Sequence, residues 1–270
     1  MATLKVTTLL VVVMLLPLLT NSIQVNVDYS DPRYDKMLNT CIDSKNHKVK
    51  PGPEDKLHNQ CSPWKRRSCC THQTTHDAHH TKMYNFDWNH CSQKKNLSDK
   101  CRRHFIQDLC FYECSPNMGP WTVKVNNKFR KERFYKVPLC ASDCTTWFED
   151  CAEDMTCTDN WVQNMEWVPG LGNRCPGNSS CHTFAEIYRT SKNFCETVWD
   201  HSWEVKDDNQ HCMRLWFNSS IGNPNDAVAR WKTVQIFQAM KGGGGSRSVT
   251  WSSWLSAVVV VAMTNIFARL

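Results

Sequence analysis

The chain has 270 residues, 32 Lys and Arg against 26 Asp and Glu, a formal charge of +6 and 16 cysteines. So modest and scattered a charge gives no basic stripe suited to nucleic acid. An even, large cysteine count behind an export signal describes an oxidised scaffold, with up to eight disulfides in place of a cytosolic enzyme or a string of zinc sites.

In chain order, residues 1–22 carry Lys5, an apolar run and small polar residues at the end, the pattern of a signal peptide that is removed. Residues 23–241 are read as one ectodomain and residues 242–270 as a tail. From residue 23 to 55 the chain is polar and broken by proline, and reads as loop with short extended pieces tied down by Cys41. Cys61, Cys69 and Cys70 follow, and the adjacent pair has to point two ways, to separate staples. His72, His76 and His79 have helical spacing and, with His80, form a polar patch that is read as solvated ahead of metal-binding. Tyr84, Phe86 and Trp88 alternate with polar residues as in a half-buried strand, or line a pocket.

The stretch from Cys101 to Cys114 reads as a helix capped by Ser98, with Asp99 in its first turn and Pro116 beyond its end. Phe105, Asp108 and Tyr112 fall on one stripe and Cys110 and Cys114 on the opposite side. A carboxylate among aromatic rings is costly to bury without donors, so Asp108 implies either a waiting ligand or a salt bridge to a nearby arginine. Residues 116–138 read as irregular or paired strand. A second helix spans residues 142–151, with Cys144, Trp147, Phe148 and Cys151 on a core face. A third, near residues 192–202, aligns Cys195, Trp199 and Ser202 or Trp203. Asn96, Asn178 and Asn218 open glycosylation sequons. At the end, Gly242 through Gly245 and Ser246, a short polar spacer and an uncharged apolar run match a glycolipid attachment signal, with a single transmembrane helix as the alternative. Twelve tryptophans suit a rigid pocket for a flat ligand. No catalytic constellation stands out, and no cofactor is implied.

Lys50-Pro-Gly-Pro-Glu-Asp-Lys-Leu57, His104-Phe-Ile-Gln-Asp108, Glu113-Cys-Ser-Pro-Asn117 with Gly119-Pro-Trp121, Arg130-Lys-Glu-Arg133 and Gly222-Asn-Pro-Asn225 resemble the folate receptor family. The likeness covers about residues 35–231 with all sixteen cysteines: Cys41, Cys61, Cys69, Cys70, Cys91, Cys101, Cys110, Cys114, Cys140, Cys144, Cys151, Cys157, Cys175, Cys181, Cys195 and Cys212. It implies a helix-rich α+β single globular domain with eight disulfides, a deep open ligand pocket and a glycolipid anchor. The implied pterin site has Asp108 as acceptor, Tyr112 and Trp199 as the stacking pair, Tyr84 and Phe86 on the wall, and Ser202, Arg130 and Arg133 as donors. Phe129 and Trp203 replace a Trp and a Tyr of the family. Trp161 and Trp167 are expected to line the pocket within Asn160-Trp-Val-Gln-Asn-Met-Glu-Trp167, where Val162, Gln163 and Met165 replace His, Lys and Trp. In the family the His at 162 contacts the pterin and the Trp at 165 helps hold the glutamate, and Gln163 removes a positive charge, so a retained pterin site with a weakened hold on the benzoyl-glutamate half is expected.

By resemblance the chain is a cell-surface receptor, anchored on the extracellular face, that takes up folic acid and reduced folates by endocytosis, passes through endosomes and is also secreted in part. The alternative is a Juno-like adhesion receptor that meets a protein partner on another cell in gamete recognition. A carrier of another flat vitamin, such as riboflavin, is a third reading within the fold. Retention of Asp108 favours the first.

Overall fold

The structure, a computed structural model, describes residues 28–126 and 130–243. The expected leader, Phe129 and the tail from Gly244 onward, Gly245 and Ser246 included, lie outside those residues. Contacts group Tyr29–Ile236 into one unit, which carries all sixteen cysteines, apart from the rest of the chain. The helices are α1 (Pro32–Leu38), α2 (His72–His80), α3 (Asp99–Cys114), α4 (Ala141–Cys151), α5 (Phe184–Tyr188), α6 (Ser191–Thr197) and α7 (Asn225–Gly243). The strands are short: β1 (Thr122–Lys124), β2 (Glu132–Phe134), β3 (Val137–Cys140), β4 (Met155–Thr156), β5 (Glu166–Val168), β6 (Gly172–Arg174), β7 (His182–Thr183) and β8 (Trp203–Lys206). They pair two by two, β1 with β2, β4 with β7 and β5 with β6 antiparallel, and β3 with β8 parallel. This is the expected mixed helix and sheet class, held by eight disulfides among the described residues.

Helix α3 is the central element. Ser98 Oγ accepts from Cys101 N at 3.3 Å, satisfying one of the donors that a helix start leaves unpaired. Ser98 is itself fixed, its N–H donating to the buried Asp154 carboxylate at 3.1 Å. Three disulfides then tie the helix to other segments: Cys101 to Cys151 of α4, Cys110 to Cys61 and Cys114 to Cys70. Cys69 turns the other way, to Cys41, as its adjacency to Cys70 requires. Helices α4 and α6 are joined by Cys144–Cys195. Trp147 and Cys151 of α4 are buried as expected, while Phe148 is only half-buried against the core.

The core is a slab of rings. Trp161 stacks on Phe105 of α3 at 4.9 Å and on Phe86 at 5.5 Å, and Trp147 meets Phe105 edge-on at 5.0 Å. Offset stacked and edge-to-face pairs of this kind satisfy the ring quadrupoles while burying large apolar area.

Three expectations are corrected. Residues 23–55 are not all loop: α1 forms with Pro32 in its first turn, where the missing N–H costs nothing, and with the Asp31 carboxylate accepting from Arg33 N at 2.8 Å. Residues 84–88 are not a strand, because Tyr84 and Asn85 take φ of 56° and 58° and reverse the chain in a 3-10 turn. The third helix ends at Thr197, and Asp200 and His201, at φ 52° and 58°, turn the chain, so Trp199 and Ser202 share no helical stripe with Cys195.

The Tyr84–Asp87 turn is held from β6. Asn173 of β6 accepts from Asp87 N at 2.6 Å and donates to Asp87 O at 3.2 Å, imitating a strand pair. Beside it Gly172 has φ +90°, and a Cβ there would collide with the Asn85 carbonyl oxygen, whereas Gly170, at φ +79°, faces open space. Gly170→Ala carries only left-handed backbone strain, about 1–2 kcal/mol. Gly172→Ala adds the collision and is expected to cost at least about 1 kcal/mol more in urea unfolding. Equal losses for the two variants would show that the β6 contact does not constrain the turn.

Candidate ligand site on the central helix

Phe105, Asp108 and Tyr112 run along one side of α3, and Asp108 is buried. Its Oδ1 accepts from Trp203 Nε1 at 3.0 Å, because the β3–β8 register sets Trp203 opposite Val137. The Trp199 N–H, buried without a hydrogen-bond partner of normal geometry, also favours the charged carboxylate from nearby. Burial outweighs both indoles and pushes the Asp108 carboxyl up to about 7. Oδ2 accepts no hydrogen bond of normal geometry from the described residues. The expected alternative, a salt bridge from arginine, is not formed: Arg133 goes to Asp200 at 2.5 Å, and Arg130 stands beside Tyr112, acting on its hydroxyl.

Asp200 is a junction. Besides Arg133 it takes Asn160 Nδ2 at 3.1 Å and Gln163 Nε2 at 3.1 Å. Burial alone would raise its carboxyl, but these three donors together hold it below the ordinary range. Arg133 also donates to the Asp200 and Trp199 carbonyls, fixing the turn that aims the Trp199 ring. Ser202 Oγ donates to Trp199 O at 2.8 Å and so braces the same turn. Trp199 stands edge-on to Trp161 at 5.3 Å and beside Phe86 at 5.8 Å. Tyr112, one turn along α3 from Asp108, packs against His47, Tyr84 and Phe134. The ring neighbours of Tyr112 and of Trp199 share no member, so the two aromatic surfaces flank Asp108 from separate clusters.

The remaining residues divide by burial. Phe86 is nearly covered by the slab, and Trp161 is fully buried with its N–H on Thr156 Oγ1 at 2.9 Å, so it backs the site from within the core. Trp167 of β5 is 49% exposed at the rim, 5.9 Å from Phe86. Val162 is half-buried and Gln163 exposed, while Met165 is buried against Asn173. A separate surface groove of about 810 Å³, bordered by Trp121, Tyr135 and Trp231, contains none of these residues.

Sequence reasoning missed Glu113 and His47. Glu113 is buried, accepts from Tyr84 OH at 2.6 Å, and is pushed up to about 8 by burial. His47, lowered to about 4 by burial, lies 3.6 Å from its other oxygen and donates from Nε2 to Tyr112 O at 3.0 Å. Near neutrality both are uncharged, and together they fix the ring positions of Tyr84 and Tyr112. The signal for Glu113 was present as an acid in a cysteine-rich last turn, where a helix C-terminus does not favour negative charge.

A model of the folate receptor family matches residues 40–214. Among curated proteins, folate receptor gamma of Homo sapiens is 44% identical over 218 residues, 79% of this chain and 86% of that protein. Folate receptor alpha of Bos taurus is 45% identical over 200 residues, 72% and 81% of the two chains. Riboflavin-binding protein of Gallus gallus is 30% identical over 192 residues, 70% and 74%.

The raised carboxyl has a thermodynamic signature. Unfolded, Asp108 ionises near its ordinary value of 3.8, and folded it holds its proton to about 7. Its contribution to stability is therefore complete below about pH 4 and is lost as pH rises to about 7, at up to about 1.4 kcal/mol per pH unit. Urea unfolding of the parent and of Asp108→Asn from pH 4 to 8 is expected to show the parent losing stability relative to the variant as pH rises. Parallel curves would mean that Asp108 is not raised.

Proposed function

The chain belongs to the folate receptor family, and from that membership we propose that it is a folate-binding receptor of the cell surface, a binding protein in a family without enzymes. The observation that carries the reading is Asp108: a buried carboxyl with no cationic partner, one oxygen oriented by Trp203 and the other without a hydrogen bond of normal geometry. A 2-amino-4-oxo pterin supplies the adjacent N–H and amino donors that a carboxylate accepts pairwise. Tyr112 and Trp199 would hold its two faces, with Arg130 at the Tyr112 hydroxyl and Arg133 and Ser202 keeping the Trp199 turn in place.

Two finer features belong to the same proposal. At the tail wall, Gln163 spends its amide on Asp200 and offers no charge, and Met165 is buried, so the glutamate portion of folate would be held weakly. In an acidifying endosome, protonation of Asp108 would replace an acceptor with a donor facing the ligand's own N–H groups and loosen it, which suits capture outside the cell and release after endocytosis.

Titration of the deglycosylated protein with folic acid and with pteroate, which lacks the glutamate, tests these features together. Asp108→Ala is expected to bind folic acid at least about tenfold more weakly, the loss of a charge-assisted hydrogen-bond pair. Joint Val162→His, Gln163→Lys and Met165→Trp substitution is expected to tighten folic acid more than pteroate, and the parent is expected to bind less well at pH 5 than at pH 7. Undiminished binding by Asp108→Ala would overturn the site, and equal gains for both ligands would overturn the tail-wall account.

For the tail, we infer attachment to a glycolipid near Gly242 to Ser246, after removal of the apolar end. No helix among the described residues is long and apolar enough to cross a membrane. A phosphatidylinositol-specific phospholipase is expected to release the protein from cells, and retention would favour a transmembrane end.

A further inference from the structure

Helix α2 and the residue ahead of the 3-10 turn Asn59–Trp64 bring five imidazoles into one patch. His72, His76 and His80 are spaced four apart along α2, so they rise on one face with His79 beside them. His58, the N-cap of the 3-10 turn, comes in from another segment and faces them. The ring centres of His58, His76 and His80 are 4.9, 4.6 and 5.7 Å apart, and His79 is 4.9 Å from His58.

Nitrogen placement points to a cation. His58 Nε2 and His80 Nε2 are 3.0 Å apart, a hydrogen-bond distance that is also close to the separation of two imidazole nitrogens sharing one metal with bonds of about 2.0–2.1 Å. The same bond length puts each ring centre about 3.2 Å from the metal and neighbouring ring centres about 5 Å apart in a tetrahedral site, a value the three observed separations bracket. His79 Nδ1 donates to Thr75 O at 2.7 Å, and its buried Nε2 lies beside the Cys61 and Cys110 sulfurs, so this ring walls the patch from the core side. His72 is held alike, Nδ1 on Lys56 O at 2.6 Å. Burial, followed by the neighbouring imidazoles, lowers His58, so this ring stays neutral and able to coordinate. The sulfurs near His79, Cys61 and Cys110, are joined in a disulfide and offer no thiolate.

We propose that His58, His76 and His80 form a binding site for a divalent cation of the zinc class, with water as the fourth donor. No third imidazole nitrogen stands within 4.8 Å of both His58 Nε2 and His80 Nε2, so closure requires His76, which is exposed, to turn about its side-chain torsions. Staggered rotamers make that a small cost. The site is independent of Asp108 and its surrounding rings.

The purified, chelator-washed full chain in detergent is titrated with zinc sulfate by calorimetry and with cobalt(II) by visible absorbance. One equivalent of zinc is expected at about 10 µM protein, with the intense bands of tetrahedral cobalt. His58→Ala and His80→Ala are each expected to weaken zinc at least about tenfold while keeping the parent's near-ultraviolet circular dichroism, and His182→Ala, exposed and outside the patch, is expected to bind as the parent does. Absence of stoichiometric zinc binding, or binding unchanged in both His58→Ala and His80→Ala, would overturn the site.

Discussion

The structure depends on one helix that is not free to move. Disulfides from Cys101, Cys110 and Cys114 fix α3 to three other segments, and with its position set the helix can carry a carboxylate inward among rings. A buried, unpaired acid in a loosely packed helix would be relieved by rotation or fraying toward water. Here the cross-links close that escape, and the cost of burying Asp108 appears as a raised carboxyl instead of as a moved backbone. Disulfides of this kind act chiefly on the unfolded chain, but in this fold they also hold a polar group where it would not remain by itself.

Around that helix the aromatic residues do two kinds of work. Trp161, Phe105, Phe86 and Trp147 form a dry interior whose packing needs no ligand. Trp199, Tyr112 and Tyr84 are only partly covered, and each is set by polar contacts behind it: the Arg133–Asp200 pair behind Trp199, and Glu113 and His47 behind the two tyrosines. A rigid apolar slab with polar bracing at its edge is a physical basis for presenting ring faces in a fixed orientation. The two buried acids differ in what meets them. Glu113 accepts from Tyr84 and lies beside His47, whereas Asp108 accepts from Trp203 and faces the Trp199 indole, each acid bonded at one oxygen.

Much of this was legible in the sequence, and the limits follow from physics. The span of α3, its cap at Ser98 and the stripe through Phe105, Asp108 and Tyr112 follow from helical periodicity and capping chemistry, which are local. The opposite directions of Cys69 and Cys70 follow from their adjacency. The turns at Tyr84–Asn85 and Asp200–His201 were hidden because Asn, Asp and His tolerate positive φ without requiring it, and the turns are held from outside by Asn173 and by Arg133. The salt bridge considered for Asp108 could not be weighed from sequence, since the partner that captures Arg133 is 67 residues away. Helix α1 was missed although Asp31 and Pro32 spelled its start. His58 was unreadable as a member of the histidine patch because it reaches α2 from a separate segment.

The Asp200 junction has a consequence for how changes at the site combine. Its one carboxylate accepts from Arg133, Asn160 and Gln163, which belong to β2 and to the segment ahead of β5. Effects of replacing these residues are therefore coupled and will not sum. A lysine at 163 would bring a second cation to an oxygen already shared with Arg133, releasing part of the guanidinium's hold on the Trp199 turn. A change at position 163 is thus felt at the Trp199 turn through Asp200, and the side chain at 163 and the orientation of that ring cannot drift independently.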